Sequence, residues 1–282
     1  MSKYNLSIFA YFRNEAPYLK EWIEFHRRVG VEHFFLVNNL STDRWRKIVN
    51  PYRNLGIVSL KNWKIKNGLT FDEARKKHGN GKLCKHFQLK KDCFDFFNIK
   101  DKTKWLAMID IDEFLYTSCG GNLPDLLEGY GHIGGIAVNR FNYGSRVSGK
   151  SQLVTQSFLH RETDDAALNR SVKTIANMKY YIGPGGKNGA HVSEFKPGFP
   201  TVDVSGMAMT PFSSKTIKLT ADGIRINHYY VKTKKEFNST KKIRKHMKHI
   251  AGGRMRINDS HFSRLDTNDV FDETAQIVWN KK

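Results

Sequence analysis

Between residues 6 and 60 the spacing of apolar side chains switches repeatedly between two periods, and this constrains the fold more than any other feature of the chain. Residues 6–12 alternate loosely and are aromatic and branched, which suits a strand. After Arg13-Asn14-Glu15, Ala16-Pro17 opens a helix, proline being tolerated in a first turn. Leu19, Trp22, Ile23, Phe25 and His26 follow at helical offsets, and the helix ends near Gly30. His26 on that stripe reads as a satisfied core or boundary histidine. Residues 31–37, VEHFFLV, form a second strand. Asn38-Asn39-Leu40-Ser41-Thr42-Asp43 is a turn in which Ser41 or Thr42 is placed to cap the next helix, and residues 56–60 form a third strand. The order β-α-β-α-β predicts an α/β fold, a sheet that is parallel at least here, with helices on its faces.

The rest of the chain extends this pattern. Residues 61–81 read as loop, and 82–98 as a helix with Leu83, Phe87, Phe94 and Phe97 on one stripe. Residues 120–130 are a turn and short helix, and 135–141 a strand. The pattern weakens from 142 to 190, where Gly183-Pro184-Gly185-Gly186 marks a loop without phosphate-loop spacing. Strands are expected at 191–195, 215–220 and 224–231, and helices at 233–250 and 269–279. With 282 residues, 39% hydrophobic and 12% aromatic, the chain can bury a sizeable core. The simplest division is one α/β domain over 1–231, with 232–282 as a basic helical extension packed on it.

The chemistry is concentrated in KWLAMIDIDEFLY, residues 104–116. Trp105, Leu106, Ala107, Met108 and Ile109 suit a strand buried on both faces. Asp110, Asp112 and Glu113 then enter. In one extended strand Asp110 and Asp112 would share a face. Paired carboxylates repel unless a cation lies between them. A hard divalent ion, Mn²⁺ or Mg²⁺, is the expected cation. Phe114, Leu115 and Tyr116 resume at once, so these acids are set into a hydrophobic site, where unpaired charge is expensive.

Lys and Arg number 47 against 27 Asp and Glu, a formal charge of +20. Such a surface attracts phosphorylated substrates, anionic lipid headgroups or nucleic acid. The excess peaks at 232–256, where KKIRKHMKH is a basic amphipathic helix of the kind that lies on anionic membrane surfaces. No stretch approaches the roughly 20 apolar residues needed to span a bilayer. Three cysteines without a C-x-x-C, and an N-terminus unlike a signal peptide, lead us to expect a cytoplasmic protein, peripheral on the inner face of a membrane if it meets one.

In open sheets, ligands bind beyond the carboxyl ends of the strands. Arg13-Asn14-Glu15, Asn38-Asn39 and Asp110/Asp112 all follow predicted strands. RNEAPYLKEWIEFHRRVGVEHFFLVNNLSTD, WLAMIDIDEFL, NRFNYGS and INHYYVKTKKEF, in this order, resemble glycosyltransferase family 92 and its bacterial relatives among the family-2-like enzymes. The resemblance covers roughly residues 5–245. It implies a GT-A-type, Rossmann-like open mixed sheet flanked by helices, a nucleoside-diphosphate sugar donor (UDP being the expected nucleotide), a divalent metal, and inversion at the anomeric carbon. By position, Asp110 and Asp112 match the family's D-x-D, with Asp112 on the metal and Asp110 on the metal or the donor ribose. Arg13, Asn14 and Glu15 would lie beside the nucleotide. Asn38 and Asn39 stand where many family-2 enzymes carry acids. Arg170 and Lys173 match a basic pair near the donor, and His228 would complete the metal shell or bind diphosphate, with His191 as the competing choice. Lys85 and Gln88, on one face of the helix before the acidic strand, are further donor-side candidates.

These residue types suit glycosyl transfer. A divalent ion neutralises the leaving diphosphate, and basic side chains add to that effect. Inversion also needs a carboxylate to take the acceptor proton. Glu162, Asp164 and Asp165 in HRETDD are the candidates, Asp165 being favoured, with Glu194 as a further choice. The expected activity is transfer of a hexose to a glycan or lipid-linked acceptor. The competing class is a basic nucleic-acid-binding protein or metal nuclease, whose binding would weaken steeply with salt.

Overall fold

A computed structural model describes residues 2–62, 93–185, 191–216, 219, 222–241 and 259–280. The expected opening is present: β1 (Tyr4–Phe12), α1 (Ala16–Arg28), β2 (His33–Asn38), α2 (Trp45–Asn54) and β3 (Val58–Asn62). Then come β4 (Thr103–Met108), β5 (Glu113–Thr117), α3 (Leu123–Glu128), β6 (Gly135–Asn142), β7 (His160–Arg161), β8 (Val172–Asn177), β9 (Tyr181–Pro184), β10 (Ser193–Phe195), β11 (Thr201–Asp203) and β12 (Ile224–His228). The described C-terminal part adds α4 (Asp259–Leu265), β13 (Val270–Phe271) and α5 (Gln276–Trp279).

The main sheet runs β3-β2-β1-β4-β8-β6-β12-β5, with β11 alongside β6. Its β1, β2, β3 and β4 are mutually parallel. β8 runs against both β4 and β6, and β12 is parallel to β6. So β1, β2, β3, β4, β6 and β12 all point one way and end at one rim. The chain steps outward from β1 to β3, then crosses back to place β4 on the other side of β1. That reversal is the switch point where open sheets of this kind leave a crevice. The architecture is the expected open mixed sheet flanked by helices.

Period-two burial builds the two faces. Leu6, Ile8, Ala10 and Phe12 of β1 join the larger core beneath α1 and α2, while Phe9 faces a second cluster with Phe35, Leu106, Cys93 and Phe97. Helix α1 buries Leu19, Trp22, Ile23 and Phe25. Its first free N–H, on Ala16, donates to Asp43 Oδ2 at 2.8 Å, so the turn after β2 caps it. It ends at Gly30, whose φ of +97° is left-handed. A Cβ there would stand 2.0 Å from Asn122 Oδ1.

The same helix holds the acid-bearing strand. Trp22 Nε1 donates to the Glu113 carbonyl at 2.8 Å. His26 is fully buried, with Nδ1 2.7 Å from the Trp22 carbonyl and Nε2 accepting the Leu115 N–H at 2.9 Å. That pattern needs a neutral ring, and burial lowers its pKa to about 3, offset only in part by the Trp22 carbonyl. The unfolded chain takes up this proton near pH 6.5 and the folded one only near 3, so His26 makes stability fall with falling pH across that window. Each pH unit in it costs roughly 1.4 kcal/mol. Urea midpoints at pH 7 and pH 5 should differ accordingly, and His26→Gln should shrink the difference. An unchanged difference would refute the assignment.

Three expectations are corrected. The region from 142 to 190 contains β8, which pairs with both β4 and β6. Its sequence VKTIAN has polar residues that are nonetheless all buried, so alternation gave no signal. The strand expected at 224–231 stops at His228. In place of a helix over 269–279, β13 pairs with β7 and α5 is a single turn. Buried arginines explain this: Arg161 Nε and Arg225 Nη2 lie 2.5 and 2.8 Å from Asp272 Oδ2, which holds residues 270–272 extended against β7. Phe141 lies under both guanidinium groups, at 5.2 and 4.2 Å. At 215–220, Lys215 makes one isolated bridge to Ser171, and the rest is largely outside the described residues. The helix expected at 82–98 is described, and helical, at 93–97; that at 233–250 opens with a capped turn at Lys234–Glu236, and residues 242–250 lie outside the described part.

Candidate active site

The acids do not lie in one strand. β4 ends at Met108 and β5 begins at Glu113, and residues 109–112 form a turn in which the Glu113 N–H donates to the Asp110 carbonyl at 3.1 Å. Glu113 causes the break, because its Oε2 reaches back to accept the Asp110 N–H at 2.9 Å. The two aspartates therefore meet different surroundings. Asp110 has a side chain 58% exposed and accepts from Lys173 Nζ at 2.8 Å. Asp112 is buried, and its Oδ1 lies 3.8 Å from His228 Nε2.

Glu113 joins this turn to the neighbouring strands. Its Oε2 lies 3.3 Å from Lys173 Nζ and its Oε1 3.0 Å from Arg140 Nη1. Lys173 on β8 is itself buried between two carboxylates. Packed surroundings disfavour the Asp110 charge, yet the Lys173 ammonium more than offsets this and brings the carboxyl to about 2. Burial likewise opposes the Lys173 charge, and Asp110 and Glu113 outweigh it, so its pKa is raised. The lysine holding Asp110 is thus part of the sheet and not an exterior side chain.

His228 ends β12. Its Nδ1 lies 2.8 Å from Asn142 Oδ1 at the end of β6. Asn142 donates to Asn169 Oδ1 through both its backbone N–H and its Nδ2, each at 3.0 Å. Asn169 Nδ2 donates to the Thr163 carbonyl at 2.8 Å. His191, the competing histidine, packs its Nδ1 3.1 Å from the Val172 carbonyl. Burial lowers its pKa, as do the charges of Lys173 and Arg140.

A second group forms where β1 and β2 end. Asn14, at φ +53°, accepts the Thr42 N–H at 2.8 Å. Asn38 accepts the Ser41 N–H and donates to Asn62 Oδ1. These amides clamp one loop to the next. Asn39 has a buried Oδ1 without a partner among the described residues. Arg13 is half-buried and Glu15 buried beside them. Lys85 and Gln88 lie outside the described residues. Arg170 is exposed, three residues before Lys173. In HRETDD, Asp164 pairs with Arg161 Nη1 at 2.6 Å, Asp165 is exposed, and Glu162 is half-buried. Glu162 donates its N–H to the Asn142 carbonyl at 3.0 Å. Burial and then the Asp269 carboxylate raise its pKa. Glu194 is exposed on the β9–β10 hairpin.

The model of glycosyltransferase family 92 matches residues 7–268 of the chain. The chain belongs to glycosyltransferase family 92. A family 92 protein of Oryza sativa subsp. japonica is 25% identical over 127 residues, 45% of this chain and 19% of that protein. One of Arabidopsis thaliana is 25% identical over 114 residues, 40% of this chain and 17% of that protein. The match thus spans about a fifth of the length of these relatives. Among solved structures, residues 1–349 of S. aureus TarS superpose with a TM-score of 0.41 at 11% identity, over 93% of this chain and 69% of that one. TarS 1-349 in complex with UDP-GlcNAc gives 0.38 at 12%, over 76% and 62%.

Within this family 92 chain, sequence reasoning missed Glu113, Arg140 and Asn169. Glu113 had a signal, since it adjoins the acids, but its link to Lys173 and Arg140 joins β5 to β8 and β6, which are distant in sequence. Among the described residues, no three His, Cys, Asp or Glu side chains are arranged as a ready metal cage. Asp112 and His228 do suit a divalent ion chemically: they are a carboxylate and an imidazole nitrogen, both buried and 3.8 Å apart. No described helix is long and apolar enough to cross a membrane.

Proposed function

We propose that this family 92 chain is a metal-dependent glycosyltransferase that moves a hexose from a nucleoside-diphosphate sugar to a glycan or glycolipid acceptor, with inversion. One observation carries the reading: Asp112 and His228 face each other at 3.8 Å on the carboxyl rim, beside Asp110. Asp112 and His228 would hold Mn²⁺ or Mg²⁺, with donor oxygens filling the remaining positions. When bound, the ion neutralises the charge that develops on the departing diphosphate. Lys173 is already matched by two carboxylates, so its part is to fix Asp110 and not to meet phosphate. Arg13 and exposed Arg170 are the cations proposed for the donor. The unpartnered Asn39 Oδ1 suits the N3–H of a uracil ring. We take Glu162 in preference to Asp165 as the base. Its raised pKa makes it the stronger proton acceptor, whereas Asp164 is engaged by Arg161.

The test is thermal stability against a panel of nucleotide sugars with and without Mn²⁺. A donor at 100 times its Kd should stabilise the chain by about 2.7 kcal/mol, and only with metal present. The Glu162→Gln variant should keep that shift and lose transfer. A panel in which no nucleotide sugar raises Tm would overturn the proposal, and so would transfer that is unaffected by chelator. Family membership favours this reading over the nuclease alternative.

A further inference from the structure

The amides behind His228 form a chain whose direction is fixed at both ends by the backbone. The Thr163 carbonyl is only an acceptor, so the Asn169 group 2.8 Å from it is the NH₂. The opposite end of Asn169 is then Oδ1, as its contact with the Asn142 backbone N–H at 3.0 Å also requires. The Asn142 side-chain atom 3.0 Å from that oxygen must donate, so it is Nδ2. Asn142 therefore presents Oδ1 to His228 Nδ1 at 2.8 Å, and an amide oxygen can only accept. The proton of the neutral ring sits on Nδ1, and the lone pair of Nε2 points toward Asp112 Oδ1 at 3.8 Å.

We propose that Asn142, aimed by Asn169, is a positioning residue that locks His228 in the Nδ1–H tautomer, so that Nε2 and Asp112 present paired lone pairs to a divalent cation. The proposal rests on the metal-dependent reading above. A lone pair facing a carboxylate is repulsive without a cation, and the other tautomer would remove the repulsion by directing an N–H at Asp112. The Asn169–Asn142 chain denies the ring that escape. Asn169 is fully buried and Asn142 partly so, and each makes these bonds through polar atoms that have few alternatives. Outer partners of this kind orient a ligating imidazole, and losing one typically weakens metal binding about 10- to 100-fold.

The experiment uses the full chain, ¹⁵N-labelled at histidine, metal-free and at a pH where the ring is neutral. The His228 signals are those absent from His228→Gln. Wild type should show a protonated Nδ1 and an unprotonated Nε2. Asn142→Leu removes the acceptor and should move the proton to Nε2. Mn²⁺ titration followed by electron paramagnetic resonance should show binding weakened about 10- to 100-fold in Asn142→Leu. A wild-type ring protonated at Nε2, or an Asn142→Leu ring still protonated at Nδ1, overturns the proposal. Should Asn142→Leu not fold, the wild-type spectrum still decides it, because Nε2–H in the neutral ring contradicts the lock. A wild type with Nδ1–H that binds no Mn²⁺ would remove the metal reading while leaving the hydrogen-bond chain intact, so the two failures are distinguishable.

Discussion

Asp112→Ala is expected to lower sugar transfer and donor hydrolysis by roughly 10²- to 10³-fold or more, the scale seen when one preorganised charge-stabilising group is lost. The fold should survive, because the Asp112 carbonyl, which accepts the Tyr229 N–H at 2.8 Å, is kept by alanine. The side chain removed is an anion placed next to Asp110, whose charge it opposes. Melting temperature in the absence of ligand should therefore change little, while the Mn²⁺-dependent shift with donor disappears. Wild-type transfer rates in the variant would remove Asp112 from the reaction.

Asp272→Ala should give the largest loss of stability. It leaves two arginines with side chains 7% and 4% exposed lacking their shared carboxylate. Arg161 keeps Asp164, but Arg225 has no other carboxylate among the described ion pairs. Removing one member of a buried pair typically costs 3–5 kcal/mol, roughly the range expected here. At about 2–4 °C per kcal/mol for a chain of this order, Tm should fall by roughly 10 °C. Burial raises the Asp272 carboxyl, but Arg225, Thr274 and Arg161 more than offset this and hold it well below the ordinary carboxylate range. Its folded pKa is depressed, so its contribution is complete above about pH 4 and is lost as the pH falls further. The variant should therefore lose part of the wild-type sensitivity to strong acid. A Tm within 2 °C of wild type would show the C-terminal segment to be held by other contacts.

The opening half of the sheet was legible because its strands are apolar and its helices amphipathic, so period alone placed β1 to β3. Asp112 was legible as a residue that follows an apolar strand, and His228 through the family resemblance. Asp110 was legible as an acid but not as the partner of Lys173, because that pairing depends on β8, whose Lys173, Thr174 and Asn177 look exposed in sequence yet are buried. Asn169 carried no signal at all. It lies in a short turn with no apolar period, and its importance comes from the carbonyl of Thr163 and the backbone of Asn142. The helix expected at 269–279 failed for a related reason. Its apolar spacing fits a helix, but the need of Arg161 and Arg225 for Asp272 outweighs local preference.

The short turn at residues 109–112 has a mechanical consequence. It joins β4, near the middle of the sheet, to β5 at the far edge, with β8, β6 and β12 between them. Four strand gaps of about 4.8 Å each amount to some 19 Å on a flat sheet. Five residue steps reach at most about 18 Å fully extended, and a hydrogen-bonded turn reaches less. The far half of the sheet must therefore bend round toward the near half. The aspartate loop acts as the string of a bow, and its length sets how tightly the carboxyl rim is drawn into a cradle.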